Sequence, residues 1–441
     1  MNISASDVLD AKLTATVTIP AAEVDAVITS AYRDAAKQYR FPGFRPGKAP
    51  RPVIDNMLGK EAVLAQATNE LLGASEPKVL NELDIVPVKN GEYQDIEPVV
   101  DHEDYTYAVE FTLRPAPSLS SYEPVAISMP PQEVTEAEID AQVDMLMGYH
   151  STFEDVERPA QAGDYISANV VNIEHAEPLA GENRMFIVGG DGMPTQLSEA
   201  LSGMKTQETK HISWTPEDAE SDDGAPELVI ELTVNSIRER RVPELTDEFA
   251  KENFGFDSIA AMRDAVKLEL EADKTSTLPQ LKENRVVSAL AERLELDEMD
   301  PDYEQSVFQE LGQNFLQSLS AQGLTLDAWL QANGLSSDQF IHDLHHQADD
   351  VARESLALDA LARERAIEVT DEDVDAEFSR AGVEDIEASR AQFTAEGRIP
   401  AIRDSIRRSK AVDWLVETAV VTEVDEFAKS DEGSEEEQTS E

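Results

Sequence analysis

The chain has 441 residues, of which 41% are hydrophobic and 6% aromatic, and it sets 36 Lys and Arg against 90 Asp and Glu for a net charge of −54. A single core stops growing at roughly 250–300 residues, so about three domains are expected, and so acidic a surface repels DNA and anionic membranes. Without cysteine there is neither a disulfide scaffold nor a thiolate nucleophile, no apolar run approaches the roughly 20 residues that span a bilayer, and residues 1–20 lack the basic start and apolar stretch of a signal peptide.

Along the chain, Leu13, Ala15, Val17 and Ile19 alternate over 12–19 and predict a strand with one buried face. Pro20 opens a helix with Val24, Val27, Ile28, Ala31 and Ala35 at helical spacing, and Pro42 stops it. Residues 40–52 hold four prolines and two glycines and read as a loop. A second helix follows from about residue 60, with Val63, Ala67 and Leu71 on one face. Tyr105, Tyr107, Val109, Phe111 and Leu113 alternate as a half-buried strand. Residues 1–115 thus form one small α+β domain. Prolines 115, 117, 124, 130 and 131 mark an extended connector, which leads through a helix carrying Val134, Ile139, Val143 and Met147 to about residue 150. Residues 151–242 turn to β pattern, with strands over 165–171, 185–188 and 228–237 and a short helix over 197–204, a second α+β domain.

From Pro243 the chain reads as helical to about Val421. Apolar stripes run through Ile259, Met262, Val266 and Leu270, then Tyr303, Val307, Leu311, Phe315 and Leu319, then Phe340, Leu344, Ala348, Val351 and Leu358, and more loosely Ile402, Ile406, Val412 and Leu415. Pro279, Pro301, Gly323, Gly334 and Pro400 punctuate these helices. Residues 422–441 are an acidic tail expected to be disordered. The fold class is α+β and multidomain, ending in a helical domain.

Against the acidic background, residues 32–60 stand out. Arg33, Lys37, Arg40, Arg45, Lys48, Arg51 and Lys60 face only Asp34 and Asp55, a local charge of +5. Such a loop suits an anionic partner, a phosphate backbone or an acidic protein patch, and Phe44 adds an apolar anchor of the kind that makes hot spots. Gly43 and Gly47 permit tight turns, and the prolines stiffen the tip, which lowers the entropy lost on docking. On charge alone, a basic surface loop without a partner fits equally well.

The run Gly43-Phe44-Arg45-Pro46-Gly47-Lys48-Ala49-Pro50 resembles the ribosome-docking signature of the bacterial trigger factor family, a Gly-Phe-Arg-x-Gly-Lys-x-Pro loop between two helices. Pro243-Glu244-Leu245-Thr246-Asp247-Glu248-Phe249-Ala250-Lys251 is similar to that family's junction between isomerase and C-terminal domains, and Lys410-Ala411-Val412-Asp413-Trp414-Leu415 to its last arm helix. The resemblance runs from the N-terminus to about Val421 and leaves out the tail. It implies an ATP-independent, cytoplasmic, partly ribosome-bound chaperone that needs no cofactor. Its partners would be the large ribosomal subunit, through ribosomal protein and ribosomal RNA at the tunnel exit, and nascent unfolded polypeptides, with roles in folding, export and cell division. Gly43, Phe44, Arg45, Gly47 and Lys48 would form the ribosome contact, and helical arms an apolar cradle.

Residues 163–240 resemble the FKBP-type peptidyl-prolyl isomerase domain that the family inserts. Gly163-Asp164 opens it in the family's manner, and 197–204 is similar to the helix that floors the proline pocket. That chemistry needs no nucleophile or metal: an apolar pocket desolvates the X–Pro amide and favours its twisted, less polar state against a barrier of ~18–20 kcal/mol. Here Met193-Pro194-Thr195-Gln196-Leu197 stands where Ile-Pro-Gly-Phe is usual, and Leu197 falls where the aromatic ring is expected. Candidate pocket residues are Tyr165, Phe186, Met193, Leu197 and Trp214, each equally readable as core, and the expected activity is weak.

Other constellations carry less. His342, His345 and His346 lie within a turn and a half, and the i, i+4 pair has metal-binding spacing, although a solvated helix face explains it as well. Gly189-Gly190-Asp191-Gly192 has no Lys or helix start to cradle phosphate and reads as a turn. A free-standing holdase or export factor without ribosome contact is the remaining alternative.

Overall fold

The computed structural model describes residues 1–176, 179–190, 193–215, 227–425 and 427. The chain divides into two compact units, one made of Met1–Met129 with Pro279–Glu423, the other of Pro130–Leu278 with the residues from Val424 on.

The first unit begins with strands β1 (Asn2–Ala5) and β2 (Lys12–Ile19), helices α1 (Ala21–Gln38), α2 (Arg51–Leu58) and α3 (Lys60–Leu83), and strands β3 (Glu92–Gln94) and β4 (Tyr105–Thr112). The strands form an antiparallel sheet in the order β1-β2-β4-β3. Strand alternation puts Leu13, Ala15, Val17 and Ile19 beside Tyr107, Val109 and Phe111, and this face packs on Val24, Ile28, Val63, Ala67 and Leu71 of α1 and α3. Pro20 fixes the entry to α1, whose first amide donates to Asp104 Oδ1 at 2.8 Å. The expected loop ends two residues earlier than its prolines suggest, because Pro50 caps α2 and Pro52 sits in its first turn. Connector residues 114–131 carry short strands β5 (Ser118–Leu119) and β6 (Ala126–Met129), which proline content had hidden.

The second unit opens on α4 (Glu136–Tyr149), started by a capping box between Thr135 and Glu138. Strands β7 (Thr152–Asp155), β8 (Tyr165–Glu174) and β9 (Gly181–Ile187), helix α5 (Thr195–Leu201), and strands β10 (Thr209–Trp214) and β11 (Leu228–Arg241) follow. They make an antiparallel sheet ordered β10-β11-β8-β9, with β7 also on β11. Strand β10 was not anticipated: Ile212 and Trp214 are its only buried apolar positions, too few to print a pattern. One sheet face, from Ile166, Ala168, Val170, Ile230, Leu232 and Val234, buries against Leu197 and Leu201 of α5. After the short helix α6 (Asp247–Phe249) and a π turn comes α7 (Ile259–Ala291). Val266 of α7 packs on Ile139, Val143 and Met147 of α4, and Lys274 meets Glu138 at 2.7 Å. Pro279, expected to punctuate, lies inside α7, where a proline removes one intrahelical hydrogen bond without ending a helix this long.

The last turns of α7 return to the first unit. There β12 (Leu294–Glu295) pairs with β5, followed by α8 (Pro301–Ala321), α9 (Leu326–Asn333), α10 (Ser337–Glu364), α11 (Asp371–Arg380), α12 (Ile386–Ala395) and α13 (Ile399–Thr418). Strand β13 (Val420–Glu423) runs parallel to β6 and takes in the first two residues of the predicted tail; beyond it only residues 424, 425 and 427 of that tail are among the described residues. Gly397, at φ +71°, lets the α12–α13 turn press on α3: a Cβ there would meet the Pro77 Cα at 2.8 Å.

Candidate docking loop and isomerase-like site

The loop between α1 and α2 is braced from within. Phe41 is 4% exposed and plugs into the core of the sheet and helices. Its carbonyl accepts from the Phe44 amide at 3.2 Å, the Arg45 carbonyl accepts from the Lys48 amide at 3.0 Å, and the Gly47 amide donates back to Ala36 at 2.8 Å. These bonds close two successive turns, and Gly43 and Gly47 supply the left-handed φ of +84° and +77° that they require. At the tip Phe44 remains 41% exposed, and Tyr39 at the end of α1 and Met57 on α2 are exposed as well.

The cations around the loop are not equivalent. Arg51 bonds Asp101 and Thr29, both at 2.9 Å, and lies over the Tyr32 ring at 4.8 Å. Lys37 pairs with Asp34 at 2.8 Å. Arg33, Arg40, Arg45, Lys48 and Lys60 are exposed and form no salt bridge among the described residues, although Arg33 acts on Asp34 electrostatically. The stem beneath them is tied by Tyr32, whose hydroxyl donates to Asp55 at 2.6 Å. Burial pushes that phenol well above its usual range, with Asp55 adding to the effect.

In the second unit the five candidate pocket residues separate. Phe186, Met193, Leu197 and Trp214 share one apolar cluster, with Leu197 2% and Trp214 6% exposed. Phe186 reaches it because it stands opposite Ile166 on the core face of the sheet. Tyr165 does not join them. It precedes Ile166 on β8, so the period of two turns it to the other face, where its ring meets Phe153 edge-on at 4.7 Å. Leu197, where the resemblance implies a ring, fills the core from α5.

Asp164, which follows Gly163 at the start of β8, is 3% exposed. Its carboxylate accepts two bonds from Arg158, at 2.6 and 3.0 Å, and one from the Gln161 amide at 2.8 Å. Burial alone would raise its pKa, but these donors outweigh burial and hold it below the ordinary carboxylate value. The Gly163-Asp164 pair therefore pins the β8 entry, a role that only the fold reveals. Of the glycine-rich turn, Gly189 and Gly190 are described; Asp191 and Gly192 lie outside the described residues.

Two family models match the chain: "Bacterial trigger factor protein (TF)" over residues 1–146 and "Bacterial trigger factor protein (TF) C-terminus" over 258–417. A trigger factor of Lysinibacillus sphaericus is 30% identical over 418 residues, covering 93% of this chain and 97% of the relative. The chain belongs to the trigger factor family. A trigger factor of Corynebacterium kroppenstedtii is 29% identical over 417 residues, covering 93% of this chain and 83% of the relative. A solved trigger factor chaperone structure has 19% identity and a TM-score of 0.38 over 95% of this chain and 99% of that one.

Membership makes the protein a molecular chaperone of unfolded polypeptides, from a family that carries prolyl isomerase activity. Among the described residues, no helix is long and apolar enough to cross a membrane.

Proposed function

We propose that the protein docks on the large ribosomal subunit at the polypeptide exit through Gly43, Phe44, Arg45, Gly47 and Lys48, touching ribosomal protein and ribosomal RNA, and shields emerging chains there without ATP. The observation that carries this reading is the braced loop itself. It presents a half-exposed Phe44 and the uncompensated cations Arg45 and Lys48 on a chain of net charge −54. Cations supply attraction to phosphate, the ring supplies a desolvated anchor, and the internal hydrogen bonds remove the ordering cost. In this reading the protein is cytoplasmic, 1–115 is the docking domain, 116–150 a linker and 243–421 the chaperone body. Cosedimentation with purified large subunits tests it: the triple change F44A/R45A/K48A is expected to abolish binding, and undiminished binding removes the proposal.

Within the same reading, exposed Leu316 and Ile341, next in sequence to Phe315 and Phe340, adjoin the ring cluster of Phe315, Trp329 and Phe340, whose centroids lie 5.1–6.0 Å apart, and offer unfolded chains an apolar contact. Residues 151–242 act as an FKBP-type isomerase-like domain of weak activity. Phe186 and Met193, only partly buried, offer the apolar wall that would desolvate an X–Pro amide, with Leu197 and Trp214 behind them. A protease-coupled proline-peptide assay on the whole chain decides this part: a slight acceleration, lowered by F186A, is expected, and a rate equal to background retires it.

A further inference from the structure

Helix α10 carries an arrangement that neither the docking loop nor the isomerase-like unit uses. His342 and His346 stand one turn apart on its exposed side, with their Nε2 atoms 3.2 Å from each other and their rings at 90°. His345 belongs to a different contact. It stacks on Phe308 at a centroid distance of 4.2 Å and points Nδ1 toward Glu304 at 3.5 Å. Neither His342 nor His346 has a carboxylate partner among the described residues.

The separation has a chemical meaning. Imidazole nitrogens bind zinc at about 2.0–2.1 Å, and a tetrahedral angle between two of them puts the nitrogens roughly 3.3 Å apart. The helix therefore holds two imidazole nitrogens at the bite of one metal ion. Position costs little, because the 28-residue helix is already formed and is fixed at its start by the Ser336–Gln339 capping box. Asp338 and Asp350 stand four residues to either side on the same stripe and make the face anionic. No third His, Cys, Asp or Glu completes a cluster among the described residues, so water must fill the remaining positions.

We propose that His342 and His346 form a two-imidazole chelate for a borderline divalent transition metal, one of Cu²⁺, Ni²⁺ or Zn²⁺, open to solvent on its other sides. Imidazole donors select this class over Mg²⁺ and Ca²⁺, and the general affinity order places Cu²⁺ first. On binding, both rings carry their proton on Nδ1 and turn a bare Nε2 to the metal. Without metal the pair is a hydrogen bond from one Nε2–H to the other Nε2.

Titrating the full chain with Cu²⁺ in a non-coordinating buffer, followed by calorimetry and visible absorption, tests the site. One ion per chain is expected, with affinity lowered at least about tenfold by H342A and by H346A, unchanged by H345A, and not displaced by excess Mg²⁺. The exposed substitutions leave the fold intact, which circular dichroism checks. Equal affinity in H342A and the unaltered chain, or no saturable binding up to about 1 mM metal, would leave a histidine–histidine hydrogen bond only and overturn the proposal.

Discussion

Arg114, just past β4, is 15% exposed at its side chain and pairs with Asp359 of α10 at 3.0 Å and with Asp404 of α13. Arg408 reaches the same Asp359 at 2.8 Å. Burial works against the Arg114 charge, yet the two carboxylates together raise its pKa, whereas at Asp359 burial prevails and pushes the carboxyl up. Replacing Arg114 by Met would remove the cation that bridges the two carboxylates and leave Asp359 with Arg408 alone and Asp404 with Arg407 alone. The expected loss is about 3–5 kcal/mol at pH 7, read by urea denaturation, and it should shrink at pH 5 as Asp359, already raised by burial, takes up a proton. A similar loss at both pH values would mean that packing, not charge, makes the contact. Tyr32 has a smaller task. Tyr32→Phe removes a bond to a charged acceptor, worth about 1.5–3 kcal/mol; thermal unfolding measures it, and ribosome affinity should fall with it because the loop stem loosens.

Helix α11 shows how an element is held at its end. Thr370 caps it, with the Asp373 carboxylate accepting from the Thr370 amide at 2.7 Å and hydroxyl at 3.0 Å, while Lys410 of α13 donates to the same carboxylate at 2.7 Å. Lys410 first, then Thr370, lowers the Asp373 pKa from 3.8 to about 2. A depressed carboxylate stabilises the fold above its unfolded value and loses that contribution as pH falls through the folded one. The stability difference between the unaltered chain and D373N should therefore be constant above pH 4 and close between pH 4 and 2, as followed by denaturant titration; a difference independent of pH would contradict the assignment. Elements with long apolar periods, such as β2, β4, α8 and α10, were legible because each repeats its pattern over at least two turns or four alternations. Strands β5, β6 and β13 were not, because two to four residues print no period and their partners lie far along the chain.

At the scale of the molecule, the first unit is closed by pairings between its two chain segments, Met1–Met129 and Pro279–Glu423: Arg114 with Asp404, Asp84 with Arg403 at 3.0 Å, and β6 with β13. Among the described residues, the N-terminal core itself draws nothing from beyond Leu113. A fragment of residues 1–117 is thus expected to fold alone, with a cooperative thermal transition, and to keep ribosome binding; a fragment without near-native circular dichroism would show that α10–α13 complete its core. For the intact chain, loop binding to ribosomal RNA should weaken steeply with salt, by a slope of roughly 0.7–0.9 per phosphate contacted, and R45A or K48A should each flatten that slope by about one contact.

The sequence by itself determined the basic, glycine- and proline-punctuated loop, the chain order of the larger helices and strands, and the family, since turn residues, local charge and short-range periodicity are written into neighbouring positions. Only the tertiary structure decided which cations stay free, because Arg51 is claimed by Asp101 fifty residues away. It also decided that Tyr165 leaves the cluster that Phe186 joins, through strand register, and that Met1–Met129 and Pro279–Glu423 share one unit. These outcomes depend on contacts between distant residues, which leave no periodic trace and form only when buried surface and paired charge outweigh the entropy of closing long loops.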